Sequence, residues 1–228
     1  MNSNLLYIIV SIAALAPAIV LHEVAHGVMA AFLGDPTAKS KGRLSLNPLR
    51  HIDPFGTVIM PFLLVLSGLP VFAYAKPVPY NPRYFKNVRV GEALVGLAGP
   101  AANLILALGA SLIAWFFYEP VKHMEITGWI SAIGVGIFWI FLPQFILINL
   151  YLMFFNLIPI PPLDGSSIIS IFLNDKALMT YYRIQQYALP ALMLLILVVP
   201  YVFHINPISA YLDATAGTLA HVIAPFWR

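Results

Sequence analysis

Long stretches without any charged side chain are the feature that most restricts how this chain can fold. Residues 5–21, 93–118 and 126–163 contain no Asp, Glu, Lys or Arg. A helix that crosses a bilayer needs about 20 mostly apolar residues. Only 9% of the 228 residues are charged, whereas a soluble domain carries about 25%. These properties predict an all-α polytopic membrane protein, and they exclude a soluble enzyme, a disordered tail and a nucleic-acid-binding module.

The sequence predicts about four to six membrane segments within a single domain, residues 1–228. The clear spans cover residues 5–33, 93–118, 126–163 and 188–203. Pro143 should kink the third of them, because proline removes a helical hydrogen bond. The stretch 207–226 contains Asp213 and His221, and it forms either a short span or an interfacial helix.

The segment from Thr57 to Phe72 is short for a span and contains Pro61 and Pro70. Cytoplasmic loops are rich in Lys and Arg. If the segment crosses, similar numbers of basic residues lie on opposite faces; if it re-enters, ten of the twelve lie on the cytoplasmic face. Those ten are Lys39, Lys41, Arg43, Arg50, Lys76, Arg83, Lys86, Arg89, Lys176 and Arg183. We therefore predict a re-entrant segment and an external N-terminus, with a crossing as the alternative.

The first span contains the sequence HEVAH at residues 22–26. Residues four apart share one face of a helix, so His22 and His26 can both reach one metal ion. Glu23 lies one step round the helix, where its carboxylate can take a proton from a metal-activated water. Ionisable groups inside an apolar span are costly and usually functional. We therefore interpret the cluster as a zinc site rather than as polar residues at a helix end.

The depth of this cluster follows from its position in the helix. His26 lies seven residues before Leu33, which corresponds to about 10 Å along a helix axis. Since the first span exits inward, the site is expected inside the bilayer near the cytoplasmic face.

A catalytic zinc site usually has three protein ligands and one open position. The helix after HEVAH offers Met29 and Phe32, which suit no zinc site, so the third ligand must come from elsewhere. Asp164 is the strongest candidate, because it ends the sequence NLIPIPPLDG, whose prolines break the helix at membrane depth. The alternative is that Asp164 caps a turn beside Gly165.

These motifs resemble the site-2 protease family of intramembrane metalloproteases. HEVAH is similar to the family's zinc helix, the sequence GPAAN at residues 99–103 to its Gly-Pro-x-x-Asn helix, and NLIPIPPLDG to its Asp-Gly motif. The resemblance covers about residues 5–175. It implies a three-helix catalytic core, one zinc ion bound by His22, His26 and Asp164, and Glu23 as the general base.

Three further predictions concern the substrate. Residues 40–47 (SKGRLSLN) alternate polar and apolar side chains and could pair with residues 71–78 in a small membrane-associated β-hairpin. The edge of such a hairpin could bind an extended substrate, or the hairpin could be structural only. Asn156 and Asn103 are amides in apolar helices, where they either bind substrate or stabilise an oxyanion, or else join helices.

The sequence thus predicts a multi-pass cell-membrane protein that acts as a zinc intramembrane endopeptidase on transmembrane protein substrates. A metal transporter or sensor with the same ligands is an alternative, but it would favour a relay of ionisable groups across the membrane, and none is visible beyond this cluster. A third hypothesis, an inactive relative acting as a scaffold, is disfavoured by the complete set of His22, Glu23, His26 and Asp164. No feature of the sequence indicates an oligomeric state.

Overall fold

The computed structural model describes residues 3–66 and 74–227 of the chain. Within these ranges the chain is helical and contains no β-strand. The helices are α1 (Ser3–Phe32), α2 (Thr37–Ser40), α3 (Met60–Leu66), α4 (Val88–Lys122), α5 (Trp129–Gly136), α6 (Leu142–Asn156), α7 (Gly165–Ile169), α8 (Asp175–Met193), α9 (Val199–Phe203), α10 (Pro207–Leu212) and α11 (Thr218–Ile223).

Three helices of the described part are long and apolar enough to cross a membrane. They are Leu5–Phe32, Val88–Lys122 and Trp129–Asn156, the last being α5 and α6 in continuous register. A fourth span is formed if Asp175–Gln185 and Ala188–Phe203 are taken together, although they are bent by 65°. The prediction of a helical membrane protein is confirmed, while the number of segments beyond these remains a prediction.

Pro143 is accommodated by a local change in hydrogen bonding within the third span. Proline has no N–H to donate to the preceding turn. The residues just before it, Ile137–Phe141, form a wider π-helical turn, in which the N–H of Leu142 donates to Ile137 O. This turn continues directly into α6, so the helix passes Pro143 as one span.

The helices α1, α4 and α6 pack against one another and form the centre of the molecule. Ala107, Ala110 and Ala114 of α4 are buried against a cluster that includes Ile146 and Leu150 of α6. Small residues at such contacts allow two helix backbones to approach closely, which strengthens packing inside a membrane. The helix α7, which follows the proline-rich loop after α6, packs on α4 as well.

The predicted β-hairpin is not confirmed. Ser40 ends the helix α2, and the described residues of the two segments, 40–47 and 74–78, form no strand; residues 71–73 lie outside the described part of the chain. One physical reason is that the side chain of Arg43 donates to Lys76 O and Pro77 O, carbonyls that a strand ladder would need. Another is that proline has no N–H to donate.

The start of the predicted re-entrant segment is in direct contact with Tyr74, which follows its predicted end. The N–H of Tyr74 donates to Gly56 O at 3.2 Å, and the hydroxyl of Thr57 donates to Tyr74 O at 2.8 Å. Residues 67–73, which include the end of the predicted segment at Phe72, lie outside the described part of the chain.

Candidate metal centre

The two histidines of HEVAH face the same side of α1, as their spacing predicts. Both side chains are buried, and their Nε2 atoms lie 3.1 Å apart. The rings meet edge to face, with centroids 4.7 Å apart. The two nitrogens therefore point towards one common position.

Asp164 brings its carboxylate to that same position. The proline-rich loop after α6 ends at Asp164, directly before α7. Its Oδ2 atom lies 3.1 Å from His22 Nε2 and 3.4 Å from His26 Nε2. Among the described residues, His22, His26 and Asp164 form a cluster whose potential ligand atoms lie within 4.8 Å of one another.

The donor set and its spacing fit a zinc ion. Zinc binds His nitrogen and carboxylate oxygen at about 2.0–2.2 Å, so two ligands of a tetrahedral site lie roughly 3.3 Å apart. The three observed separations, 3.1, 3.1 and 3.4 Å, match this value. Asp164 Oδ2 is also buried without a hydrogen-bond donor among the described residues, and a buried acceptor of this kind calls for a partner.

Gly99 of α4 makes room for the two imidazoles. A Cβ atom built on Gly99 would lie 2.5 Å from His26 Nε2 and 2.6 Å from His22 Nε2. No real side chain tolerates such contacts, so glycine leaves open the space in front of the nitrogens. Gly165 meets a similar need, since a Cβ there would lie 2.6 Å from Ile158 O, where the loop folds back on itself.

The other ring nitrogen of each histidine is bound to a carbonyl oxygen. His22 Nδ1 lies 2.6 Å from the side-chain oxygen of Asn103, and His26 Nδ1 lies 2.7 Å from Val95 O. A carbonyl oxygen only accepts, so each Nδ1 carries the proton and each Nε2 carries a lone pair. This is the form in which a histidine binds a metal.

Glu23 lies beside the cluster rather than in it. Its Oε2 atom accepts a hydrogen bond of 2.9 Å from the backbone N–H of Val78. Val78 also packs on α1 at Gly27, where a Cβ would lie 2.8 Å from Val78 Cγ1. The loop around Val78 therefore covers this face of α1 and holds the Glu23 carboxylate in place.

Tyr80 continues the same loop towards Asp164. Burial raises the pKa of Tyr80 to about 12, and the charges of Glu92 and Asp164 act in the same direction. The phenol is therefore protonated at neutral pH, and it stacks on Phe85 with ring centroids 6.0 Å apart.

The two amides singled out in the sequence have different surroundings. Asn156 is partly buried at the end of α6, and its Nδ2 donates to Leu152 O of its own helix at 2.9 Å. Asn103 is fully buried, and its Nδ2 donates to Ala18 O and to the side-chain oxygen of Asn149. With its oxygen bound to His22, Asn103 has its polar atoms engaged by the protein itself.

Two residues near the histidines were missed in the sequence. Val95 acts through its backbone carbonyl, which leaves no mark in a sequence. Asn149, like Asn156, is an amide in an apolar helix, and it lies seven residues before Asn156. It was missed because it lies outside the sequence NLIPIPPLDG. Outside this cluster, the buried His51 binds Ser45 O at 2.8 Å through Nε2.

Comparisons with known proteins identify a family that this chain matches. The family model described as peptidase family M50 matches residues 10–199. YwhC of Bacillus subtilis, a protein provisionally named a zinc metalloprotease, is 43% identical over 149 residues, which cover 65% of this chain and 62% of that protein. Rip2 of Mycolicibacterium smegmatis, named in the same way, is 25% identical over 217 residues, or 91% of this chain and 76% of that protein.

The chain thus spans less than two thirds of YwhC. No solved structure matches it at a comparable level of significance. The family model covers well over half of the chain and includes both histidines and Asp164. The protein therefore belongs to peptidase family M50, the site-2 protease family.

Proposed function

We propose that this protein is a zinc-dependent intramembrane endopeptidase. His22, His26 and Asp164 hold a single zinc ion, and Glu23 is the general base. The observation that carries the proposal is the convergence of His22 Nε2, His26 Nε2 and Asp164 Oδ2 at separations of 3.1–3.4 Å. Zinc in such a site would act as a Lewis acid. It would polarise a peptide carbonyl and lower the pKa of water, so that water can lose a proton and attack near neutral pH.

Glu23 has the position and the support that a general base needs. It takes the proton of the attacking water and delivers it to the leaving amine. The hydrogen bond from the Val78 N–H holds Oε2 and leaves Oε1 as an oxygen that can take the proton. Because the donor is a backbone amide, the orientation of the carboxylate does not depend on a mobile side chain.

The surroundings of the cluster favour a membrane-embedded substrate. His22 and His26 lie within the candidate span Leu5–Phe32. A cleft of about 820 Å³ lies between α1, α6 and α10, lined mainly by apolar residues such as Ile19, Phe155 and Ile208. Phe155 precedes Asn156, so the cleft runs towards the end of α6 that leads to Asp164. We propose that a transmembrane segment of the substrate occupies this cleft.

Asn156 is the residue we propose for binding the substrate backbone. Its bond to Leu152 O uses one of its two amide hydrogens. The second hydrogen and the carbonyl oxygen can pair with an extended peptide, which has unpaired backbone groups once its helix has opened.

We propose a multi-pass arrangement in the cell membrane with the metal centre near the cytoplasmic face. The contact between Gly56, Thr57 and Tyr74 supports a re-entrant segment between them. The basic loops also meet at one end of the molecule: the side chain of Arg43 donates to Lys76 O, and that of Arg89 to Leu173 O. Basic loops collected at one end are typical of a cytoplasmic face.

The proposal is tested with purified protein in detergent and a fluorescently labelled peptide that contains one transmembrane segment. We expect cleavage that a zinc chelator abolishes and added zinc restores, with one zinc ion per chain. Glu23→Gln should lower the cleavage rate by at least about 100-fold, because it removes the base, while the zinc content stays unchanged.

The matched control is Glu119→Gln, which changes a carboxylate that is 69% exposed at the far end of α4. It should cleave like the unchanged protein. Full activity of Glu23→Gln with zinc bound would refute the assignment of the base, and zinc flux in proteoliposomes that Glu23→Gln leaves unchanged would favour a transporter.

A further inference from the structure

A chain of buried amides connects α6 to the metal-facing histidine of α1. Asn149 and Asn103 each have 0% exposure. The Asn149 Nδ2 donates to Phe145 O at 2.8 Å, and its oxygen accepts from Asn103 Nδ2 at 2.9 Å. The Asn103 oxygen in turn accepts from His22 Nδ1 at 2.6 Å. Three helices are thus linked by a single line of hydrogen bonds that ends at a proposed zinc ligand.

Two amides buried in an apolar helix bundle need a reason. An amide without hydrogen bonds in such a place is destabilising, because it has lost its bonds to water. Ala107 and Ala110 of α4 are part of the buried hydrophobic cluster, so small apolar residues pack well on this helix. The amide pair therefore contributes directional hydrogen bonds to the contact between α4 and α6, whereas small apolar residues would contribute packing alone.

The direction of the chain is fixed at its far end. Phe145 O can only accept a hydrogen bond, so the NH₂ group of Asn149 must face it and the Asn149 oxygen must face Asn103. The NH₂ group of Asn103 then faces Asn149, and its oxygen faces His22. Ala18 O accepts from the same Asn103 NH₂ group at 3.3 Å, so the backbone carbonyls of Phe145 and Ala18 favour the same orientation, in which His22 Nδ1 holds the proton and Nε2 keeps its lone pair.

We propose that Asn149, acting through Asn103, is a positioning residue that holds His22 in the Nδ1-protonated tautomer, with Nε2 aimed at the metal. This inference rests on the proposed zinc site. His26 provides an internal comparison, because its Nδ1 is held by the backbone carbonyl Val95 O and needs no side chain. The two ligands are thus oriented by independent means.

Asn149→Leu tests the inference, since it removes the closer of the two acceptors of Asn103 Nδ2, at 2.9 Å, leaves Ala18 O at 3.3 Å, and keeps a similar volume. Partners of metal-binding histidines typically contribute 10- to 100-fold in metal affinity. We expect zinc affinity, measured by competition with a fluorescent chelator, to fall about tenfold in Asn149→Leu, and Asn103→Leu to be affected at least as strongly.

Asn149→Asp should restore the affinity. A carboxyl group at this fully buried position is expected to be protonated. Its O–H then donates to Phe145 O and its carbonyl accepts from Asn103, as the amide did. If Asn149→Leu does not fold, Asn149→Ala removes the amide without adding volume and gives the same comparison.

Ser111→Ala is the matched control for a general loss of packing. Ser111 is another buried polar residue of α4, and its hydroxyl donates to Ile223 O in the C-terminal helix. It lies two turns beyond Asn103, and its removal should leave zinc affinity unchanged.

A second readout needs no zinc. Two-dimensional ¹H–¹⁵N spectra of histidine-labelled protein distinguish the two imidazole tautomers. We expect His22 in the metal-free protein to be protonated at Nδ1, and Asn149→Leu to show a mixture with the Nε2 form. Unchanged affinity and an unchanged tautomer in Asn149→Leu would overturn the inference, whereas failure of the unaltered protein to bind zinc would overturn the proposed function instead.

Discussion

Gly99 shows how a single missing side chain shapes the metal centre. A Cβ atom there would approach His26 Nε2 to 2.5 Å, so the imidazoles or α4 would have to shift. Overpacking of this kind typically costs about 1–3 kcal/mol. We expect Gly99→Ala to weaken zinc binding by about 10-fold or more, measured by chelator competition.

Gly109→Ala provides the control on the same helix, because no atom lies within 4 Å of its Cβ position. It should bind zinc normally and should be slightly more stable, since alanine favours a helix over glycine. Equal zinc affinity in Gly99→Ala and Gly109→Ala would show that the space at Gly99 is not needed.

Two different features of the sequence point to the three clustered residues. Two histidines four residues apart must share a helix face, and a proline-rich break before Asp164 marks a non-helical segment at membrane depth. For Asn103 the sequence leaves open substrate binding, oxyanion stabilisation and a helix–helix contact. Its role depends on which atom its amide faces across three helices, and no sequence pattern reports that.

Asp35 is a second buried acid that the sequence did not single out. Its carboxylate accepts from Thr37 N at 2.9 Å and from Asn81 N at 2.6 Å, which ties the end of α1 to the loop after Tyr80. Burial acts to raise the pKa of Asp35, but the hydrogen bonds from Thr37 and Asn81 outweigh it and hold the pKa below its usual value.

Asp35→Asn replaces one acceptor oxygen with an NH₂ group that faces a donor. We expect a loss of about 2 kcal/mol of stability at neutral pH, measured as a lower Tm in detergent. A carboxyl group with a lowered pKa stabilises the folded state above its usual pKa and loses this effect as pH falls through its folded-state pKa. The Tm difference should therefore shrink in acid.

Asp175→Asn is the control, because Asp175 is 91% exposed and pairs with Arg89 at the surface. Such a pair contributes at most about 1 kcal/mol. A Tm for Asp35→Asn equal to that of Asp175→Asn at neutral pH would contradict the role of Asp35.

The loop of residues 74–81 shows why the hairpin predicted from a local pattern is not confirmed. Alternation of polar and apolar residues predicted a hairpin, but Arg43 binds the carbonyls of Lys76 and Pro77 through its side chain. Pro77 and Pro79 have no N–H, so Val78 provides the amide hydrogen of this tripeptide. That hydrogen goes to Glu23, a contact between positions 55 residues apart that no local pattern contains.

Val78→Pro removes this amide hydrogen and leaves the net charge of the site unchanged. A hydrogen bond to a charged group contributes about 1.5–3 kcal/mol, so we expect the cleavage rate to fall about tenfold with an unchanged zinc content. Val78→Ala keeps the N–H and loses only methyl groups. If both variants cleave equally fast, the loop does not orient Glu23.

The whole molecule makes a prediction about topology. The chain contains no cysteine, so single cysteines can be introduced without interference. Lys41, Lys86 and Lys122 are exposed, and we expect Lys41→Cys and Lys86→Cys to react with a membrane-impermeant maleimide only from the cytoplasmic side, and Lys122→Cys only from outside. Labelling of Lys41→Cys and Lys86→Cys from opposite sides would show that the segment between them crosses the membrane.

A zinc-edge anomalous difference map from crystals of the purified protein is the most direct test of the metal centre. We predict one peak per chain, at about 2.0–2.2 Å from His22 Nε2, His26 Nε2 and Asp164 Oδ2, and retained in Glu23→Gln. A map with no peak between these three atoms, or with zinc bound elsewhere, such as at the exposed pair of Glu119 and His123, would contradict it.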